Sequence, residues 1–248
     1  MALSSNNTFD RADFTKQAEY VANFIKKGDK VLEVGAGQVS NSKYLAERFK
    51  DVEFTALDIP NRNFLKNKVP KNITLIEGDY HNLNQLEDGS FDVVFGIETI
   101  CHSPNKQLVI SELMKKLKPS GTFISFDVYE PKPRSKMSDF EKTVSSITLA
   151  GMRVTDKDQY IGDFKNYLKI LGAKNIEAVN LTQNIVPNLK RLAKISKLYY
   201  THPILVKILK ILLPEDVTIN SVAGFLMDLT FDGEQIHAYY RVTAKKSS

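Results

Sequence analysis

The stretch VLEVGAGQVSNSKYLAERF, residues 31–49, decides the fold. An apolar run ends in Glu33, glycines follow at Gly35 and Gly37, and apolar residues then recur at helical spacing. A strand, a glycine-rich turn and a helix N-terminus in that order suit a nucleotide. Glycines let the backbone approach a ligand closely, and the N-terminus of a helix favours negative charge. The dinucleotide fingerprint G-x-G-x-x-G/A is broken here, because its sixth position is Ser40.

Working outward, apolar runs predict strands at Lys30–Val34, Val52–Asp58, Asn72–Gly78, Phe91–Gly96 and Gly121–Val128. Helical spacing predicts helices over 13–26, with Phe14, Ala18, Val21, Ala22 and Ile25 buried, from Ser42 onward, and over 105–117, where KPSG at 118–121 stops the chain. Further on, helices are expected at 138–150, 160–171 and, with strand as the alternative, 217–230, a strand at 175–181 and a long Lys-bearing amphipathic stretch at 187–213. DGE at 232–234 reads as a turn before a final strand, IHAYYRVTAKK. Near-continuous apolar strands alternating with helices predict a parallel sheet covered on both faces, made doubly wound by right-handed crossovers. Its ligand belongs at the C-terminal strand ends.

Composition narrows the class. The chain has 248 residues, 42% hydrophobic and 25% charged, with a net charge of +5. Its lysines gather between Lys190 and Lys210 and no arginine-rich block appears, so no nucleic-acid partner is expected. A single cysteine, Cys101, excludes an internal disulfide and a multi-Cys metal site; no metal is expected, and a reducing, cytoplasmic compartment fits. The N-terminus lacks an apolar core of signal-peptide length, and ILVKILKILLP at 204–214 is too short to span a bilayer.

Three acidic positions bear on the ligand. Asp58, ending the second strand, is placed to accept hydrogen bonds from a ribose diol. Glu33 would repel a pyrophosphate and suits a ligand with a cationic amino-acid end. EGDYHNL at 77–83 places an acidic residue where an adenine amino group could donate.

With these motifs, VLEVGAG, LDI, EGDYHNL, FDVVFGIETICHSPN and LKPSGTFISFD, residues 30–128 resemble the class I S-adenosylmethionine-dependent methyltransferases. The resemblance implies a doubly wound, mostly parallel, seven-stranded Rossmann-like α/β sheet with a C-terminal antiparallel strand and a helical cap. No repeat, low-complexity segment or clear linker divides the chain, so it reads as one domain over 1–248, with a cofactor-binding core at 13–128 and cap segments at 129–160 and 185–217. The cofactor would be S-adenosyl-L-methionine, held by Glu33, Gly35, Ala36, Gly37, Asp58, Ile59, Gly78, Asp79, Tyr80, Ile97 and Glu98, the last near the sulfonium and the acceptor. One departure is Val39, where members of the family often carry a third glycine.

His102 follows the fourth strand and Asp127 ends the fifth, so both should emerge at one rim. An Asp beside a His fixes its tautomer and raises its basicity. The stretches ETICHS and ISFDVY resemble sugar and natural-product O-methyltransferases, and the first also resembles sterol C-methyltransferases. The expected catalytic set is His102, Asp127 and Glu98, acting on a small, largely apolar acceptor lined by His102, Tyr129, Met137, Met152, Tyr199 and Tyr200. The bland alternatives are a loop-capping His102 and a turn-capping Asp127. The C-terminal amphipathic stretch reads first as a lid or ordinary packing, with membrane-surface contact the less favoured reading.

Overall fold

The computed structural model describes residues 1–4, 8–60, 63–155, 159–202, 223–233 and 235–247, with backbone alone at 11–12, 198–200 and 233. Seven strands, β1 Lys30–Val34, β2 Glu53–Asp58, β3 Ile73–Glu77, β4 Phe91–Ile97, β5 Leu117–Tyr129, β6 Lys174–Asn180 and β7 Ala238–Lys245, form one sheet. Their order is β3-β2-β1-β4-β5-β7-β6. The first five pair in parallel, and β7 runs antiparallel between β5 and β6. This is the expected mixed, mostly parallel sheet.

Among the described residues, the helices that flank it include α1 Lys16–Ala22, α2 Ser40–Arg48, α3 Lys106–Lys116, α4 Asp139–Gly151, α5 Ile161–Ile170 and α6 Thr182–Thr201. Successive strand residues face opposite sides. Val31, Phe54, Phe95 and Phe126 therefore bury against Val21 of α1, Leu45 of α2 and Ile185 and Leu189 of α6. Leu32, Val94 and Phe123 bury against Val109 and Leu113 of α3 and Phe164 and Leu168 of α5.

Several boundaries differ from expectation for local reasons. The first helix ends at Ala22, because Asn23, Phe24 and Ile25 donate to carbonyls three residues back and the chain tightens into turns. Phe14, expected in its buried face, is exposed and meets the ring of Phe9 edge-on. KPSG lies inside β5: β4 pairs with it at Phe91↔Leu117 and again at Val93↔Thr122, and the strand bulges between. α6 starts at Thr182, well before Pro187, because the Asn180 side chain accepts from the Thr182 N–H (2.9 Å) and hydroxyl (2.5 Å). Residues 223–227 are helical and pass into a π-helical turn at Asp228–Gly233, which takes in the expected turn at 232; residues 203–222, holding the ends of two expected helical stretches, lie outside the described residues.

The segment leaving β5 is fastened to β7 through a buried polar cluster. Glu130 accepts from Arg134 Nε (3.0 Å) and from the Ser145 hydroxyl (2.7 Å), and Ser145 Oγ also bonds His237 Nε2 (2.9 Å). Ser138 caps α4, its side chain and that of Glu141 each accepting a backbone N–H of the other residue.

Candidate active site

The connections from β1 and β4 leave toward opposite edges of the sheet, so the crevice between these neighbours is the topological switch point. The turn after β1 has φ +64° at Gly35 and +53° at Gly37. A Cβ on Gly35 would lie 1.9 Å from Thr99 Oγ1, so this turn runs hard against the segment leaving β4. Val39 is fully buried with φ 59°. That conformation strains a β-branched residue by roughly 1–2 kcal/mol.

Two carboxylates hold the turn from below and beside. Asp58 accepts the Gly37 N–H (2.5 Å) and the Ile59 N–H (2.7 Å). Glu33, 2% exposed, accepts from Asn41 Nδ2 (2.9 Å), the Ser42 N–H (3.1 Å) and the Ser42 hydroxyl. It thus braces the first turn of α2 beneath the glycines. Burial pushes its carboxyl up to about 7, against the bonds from Ser42 and Asn41.

That shift sets a pH dependence. The folded-state pKa lies above the ordinary 4.5, so the contribution to stability is full below pH 4.5 and is lost as pH rises to about 7. The loss is on the order of 3 kcal/mol. In ligand-free protein, the difference in melting temperature between wild type and Glu33→Gln should therefore move in favour of the variant between pH 4.5 and 7. Parallel curves would show that Glu33 is not the source.

Beside this turn, the Gly78 N–H donates to the Asp58 carbonyl (2.8 Å) and the Tyr80 hydroxyl to the Thr99 carbonyl (3.1 Å). Asp79 is half exposed and bonded to His81, while Ile59 is exposed and Ala36 buried. Ile97 is partly buried against the α1–α2 side of the core. Glu98, at φ 54°, accepts from the buried Tyr239 hydroxyl (3.0 Å) and pairs with the Met1 amino group.

The expected Asp127–His102 pair is not formed. Asp127 is fully buried and accepts the Ile100 N–H and the Ser125 hydroxyl, each at 3.2 Å. It lies under the 3₁₀ turn Ile100–His102, while the His102 side chain stands on the exposed outer side. Burial pushes the Asp127 carboxyl up to about 6, with the Cys101 thiol and N–H opposing. His102 Nδ1 instead lies 2.9 Å from the Arg153 carbonyl. A carbonyl only accepts, so Nδ1 carries the proton and Nε2 is the basic nitrogen of the neutral ring.

Of the residues expected to line the acceptor, Met152 packs beside Cys101, Leu149 and Val154, next to the carbonyl that holds His102. Met137 is buried. Tyr129 is a core residue beneath α5, its ring 5.0 Å from that of Phe164. The side chains of Tyr199 and Tyr200 lie outside the described residues. Sequence reasoning missed Thr99, Asn41, Ser42, Tyr239 and Arg153.

A doubly wound sheet with a glycine turn, an acid ending the second strand and a helix N-terminus at its switch point defines a nucleotide-cofactor fold of the α/β class. Residues 32–125 match the family model described as a methyltransferase domain. Over 110 residues, 42% of this chain and 28% of the relative, it is 32% identical to sterol 24-C-methyltransferase of Saccharomyces cerevisiae. Over 150 residues, 59% of this chain and 53% of the relative, it is 26% identical to fatty-acid O-methyltransferase of Mycolicibacterium smegmatis. The chain thus spans about a quarter to a half of these curated relatives. Geranyl diphosphate C-methyltransferase from Streptomyces coelicolor, solved with S-adenosyl-L-homocysteine, has the same fold: TM-score 0.69 at 13% identity, over 99% of this chain and 86% of that one. The match over residues 32–125 and the shared fold make this chain similar to the class I S-adenosylmethionine-dependent methyltransferases, a family whose cofactor is S-adenosyl-L-methionine. Among the described residues, no helix is long and apolar enough to cross a membrane.

Proposed function

We propose that this chain transfers a methyl group to a hydroxyl oxygen of a small, largely apolar acceptor, with His102 as general base. The residues present fit the cofactor: Gly35 and Gly37 leave a cradle that a Cβ would strain or fill, and α2 opens directly onto it. Gly35, Ala36, Gly37, Ile97 and Glu98 would hold the methionine end, and Asp58 the ribose. Ile59 would flank the adenine, Asp79 and Tyr80 would meet its edge, and Gly78 would let the chain pass. When bound, the cofactor supplies an electrophilic methyl on a sulfonium.

The observation that carries the base assignment is the bond between His102 Nδ1 and the Arg153 carbonyl. It fixes the ring and leaves Nε2 to accept a hydroxyl proton as the oxygen attacks. Asp127 supports this indirectly by holding the Ile100 N–H of the turn that carries the histidine. Glu98, aimed by Tyr239 and paired with the Met1 amino group, is the carboxylate on the β4 exit and would favour positive charge there. Met152 and Met137 would contribute apolar wall. The similarity to sterol methyltransferases favours a second reading, C-methylation of an alkene, in which His102 takes up a proton after transfer.

Titration of the full chain with S-adenosyl-L-homocysteine, with NAD in parallel, tests the cofactor. Micromolar binding of the first and none of the second is expected. Tight NAD binding, or no S-adenosyl-L-homocysteine binding, would overturn the proposal.

A further inference from the structure

The loop after β3 contains a hydrogen-bonded chain of which the methyl-transfer reading uses only Asp79. Asp79 Oδ1 accepts from the His81 N–H (2.9 Å) and from His81 Nδ1 (2.6 Å). His81 Nε2 lies 2.8 Å from Ser103 Oγ. Ser103 is fully buried and its Oγ accepts the Asn105 N–H at 3.0 Å.

An Asp–His–Ser chain of this kind is the arrangement of a hydrolytic relay. Here the serine cannot serve as a nucleophile, because it has no exposed surface and one of its lone pairs is taken by backbone. The chain works in the opposite direction. It ties the loop after β3 to the segment after β4, running from a rigid buried hydroxyl to a carboxylate at the surface of the crevice. The Tyr80 hydroxyl bond to the Thr99 carbonyl fastens the same two segments one residue away.

The consequence falls on Asp79. Its side chain is 59% exposed and would otherwise sample several rotamers. With Oδ1 committed to His81, Oδ2 accepts from no described residue and faces outward as an acceptor. The bonds from His81, the backbone one first, hold the carboxyl below its ordinary range, so it stays ionised and acceptor-only. An ionised carboxylate attracts an amino donor and repels a carbonyl oxygen.

We infer that His81, anchored on Ser103, is a positioning residue that aims Asp79 at the base of the cofactor and so makes the site prefer a 6-amino over a 6-oxo purine. The inference rests on the reading of Asp79 given above, and goes beyond it by assigning the preference to two residues that touch no ligand.

The test is calorimetric titration of the full chain with S-adenosyl-L-homocysteine and with its 6-oxo purine analogue. Wild type, Asp79→Asn, His81→Ala and His81→Asn would be compared, with thermal melting to establish that each is folded. Wild type should prefer the amino ligand by about ten- to a hundredfold, as a charged hydrogen bond implies. Asp79→Asn should abolish the preference. His81→Ala should cut it at least severalfold, through weaker binding of the amino ligand alone. His81→Asn places an amide N–H near the Nδ1 position and should restore most of it, which a merely structural role would not do. Loss of preference in Asp79→Asn but not in His81→Ala would overturn the role of His81 and leave Asp79 standing, as would failure of the Asn variant to rescue. No preference in wild type would overturn the reading of Asp79 itself.

Discussion

Gly35→Ala should lower stability by about 2–5 kcal/mol and weaken S-adenosyl-L-homocysteine binding at least a hundredfold. Two separate costs meet at this position. The backbone sits at φ +64°, a conformation that costs an L-residue with a side chain about 1–2 kcal/mol. The new methyl would also lie 1.9 Å from Thr99 Oγ1 and 2.4 Å from Thr99 Cβ, far inside contact distance. Thr99 has little room to withdraw, since its Cγ2 already closes on Gly96, and overpacking of this kind adds roughly 1–3 kcal/mol. Gly37→Ala is the control. It carries the same backbone cost at φ +53° but nothing lies within 4 Å of its Cβ, so it should lose only about 1–2 kcal/mol. Equal losses of melting temperature in the two variants would show that the Thr99 contact is not what closes the turn.

His102→Ala should lower kcat by about 10²–10⁴-fold for a hydroxyl acceptor while leaving S-adenosyl-L-homocysteine affinity unchanged. The acceptor's ionisation decides the size of the effect. A hydroxyl must lose its proton as it attacks, and Nε2 is the nitrogen left basic by the Arg153 carbonyl. A carboxylate acceptor arrives already ionised and needs no base, so for an apolar acid the same variant should change kcat by less than about tenfold. Release of S-adenosyl-L-homocysteine from matched alcohol and acid acceptors measures both. A small effect on every alcohol that turns over would remove His102 from the role of base. Asp127→Asn should act mainly through the Ile100–His102 turn, because the carboxylate bonds the Ile100 N–H while the imidazole bonds the Arg153 carbonyl.

The cofactor half of the candidate site could be proposed from the sequence because its residues sit at strand ends, where a period of two gives way to glycine or acid. Glu33, Gly35, Asp58, Asp79 and Glu98 could be placed that way. What they touch could not. Thr99 against Gly35 and Tyr239 on Glu98 are contacts between segments distant in the chain, and no local pattern encodes them. The Asp127–His102 pair failed for a related reason. Neighbouring strands bring two residues to one rim, but strand alternation and the 3₁₀ turn decide which side of that rim each side chain takes. Boundaries failed where a side chain overrode the pattern: the amphipathic stretch reads from 187, yet the helix starts at Thr182, where the Asn180 side chain accepts from the Thr182 N–H and hydroxyl.

The place of β7 has a consequence for synthesis. A ribosome delivers β6 and α6 before the strand that β6 pairs with, and until residues 238–245 emerge β6 has no neighbour at all. Over that interval β5 shows an open ladder of backbone groups from Thr122 to Tyr129, flanked by side chains destined for the core. An open apolar edge of that length is a template for the wrong strand, including one from another nascent copy. The half-sheet β3-β2-β1-β4-β5 can form as it is made, but the chain becomes safe from its own copies only when its penultimate position in the sheet is filled.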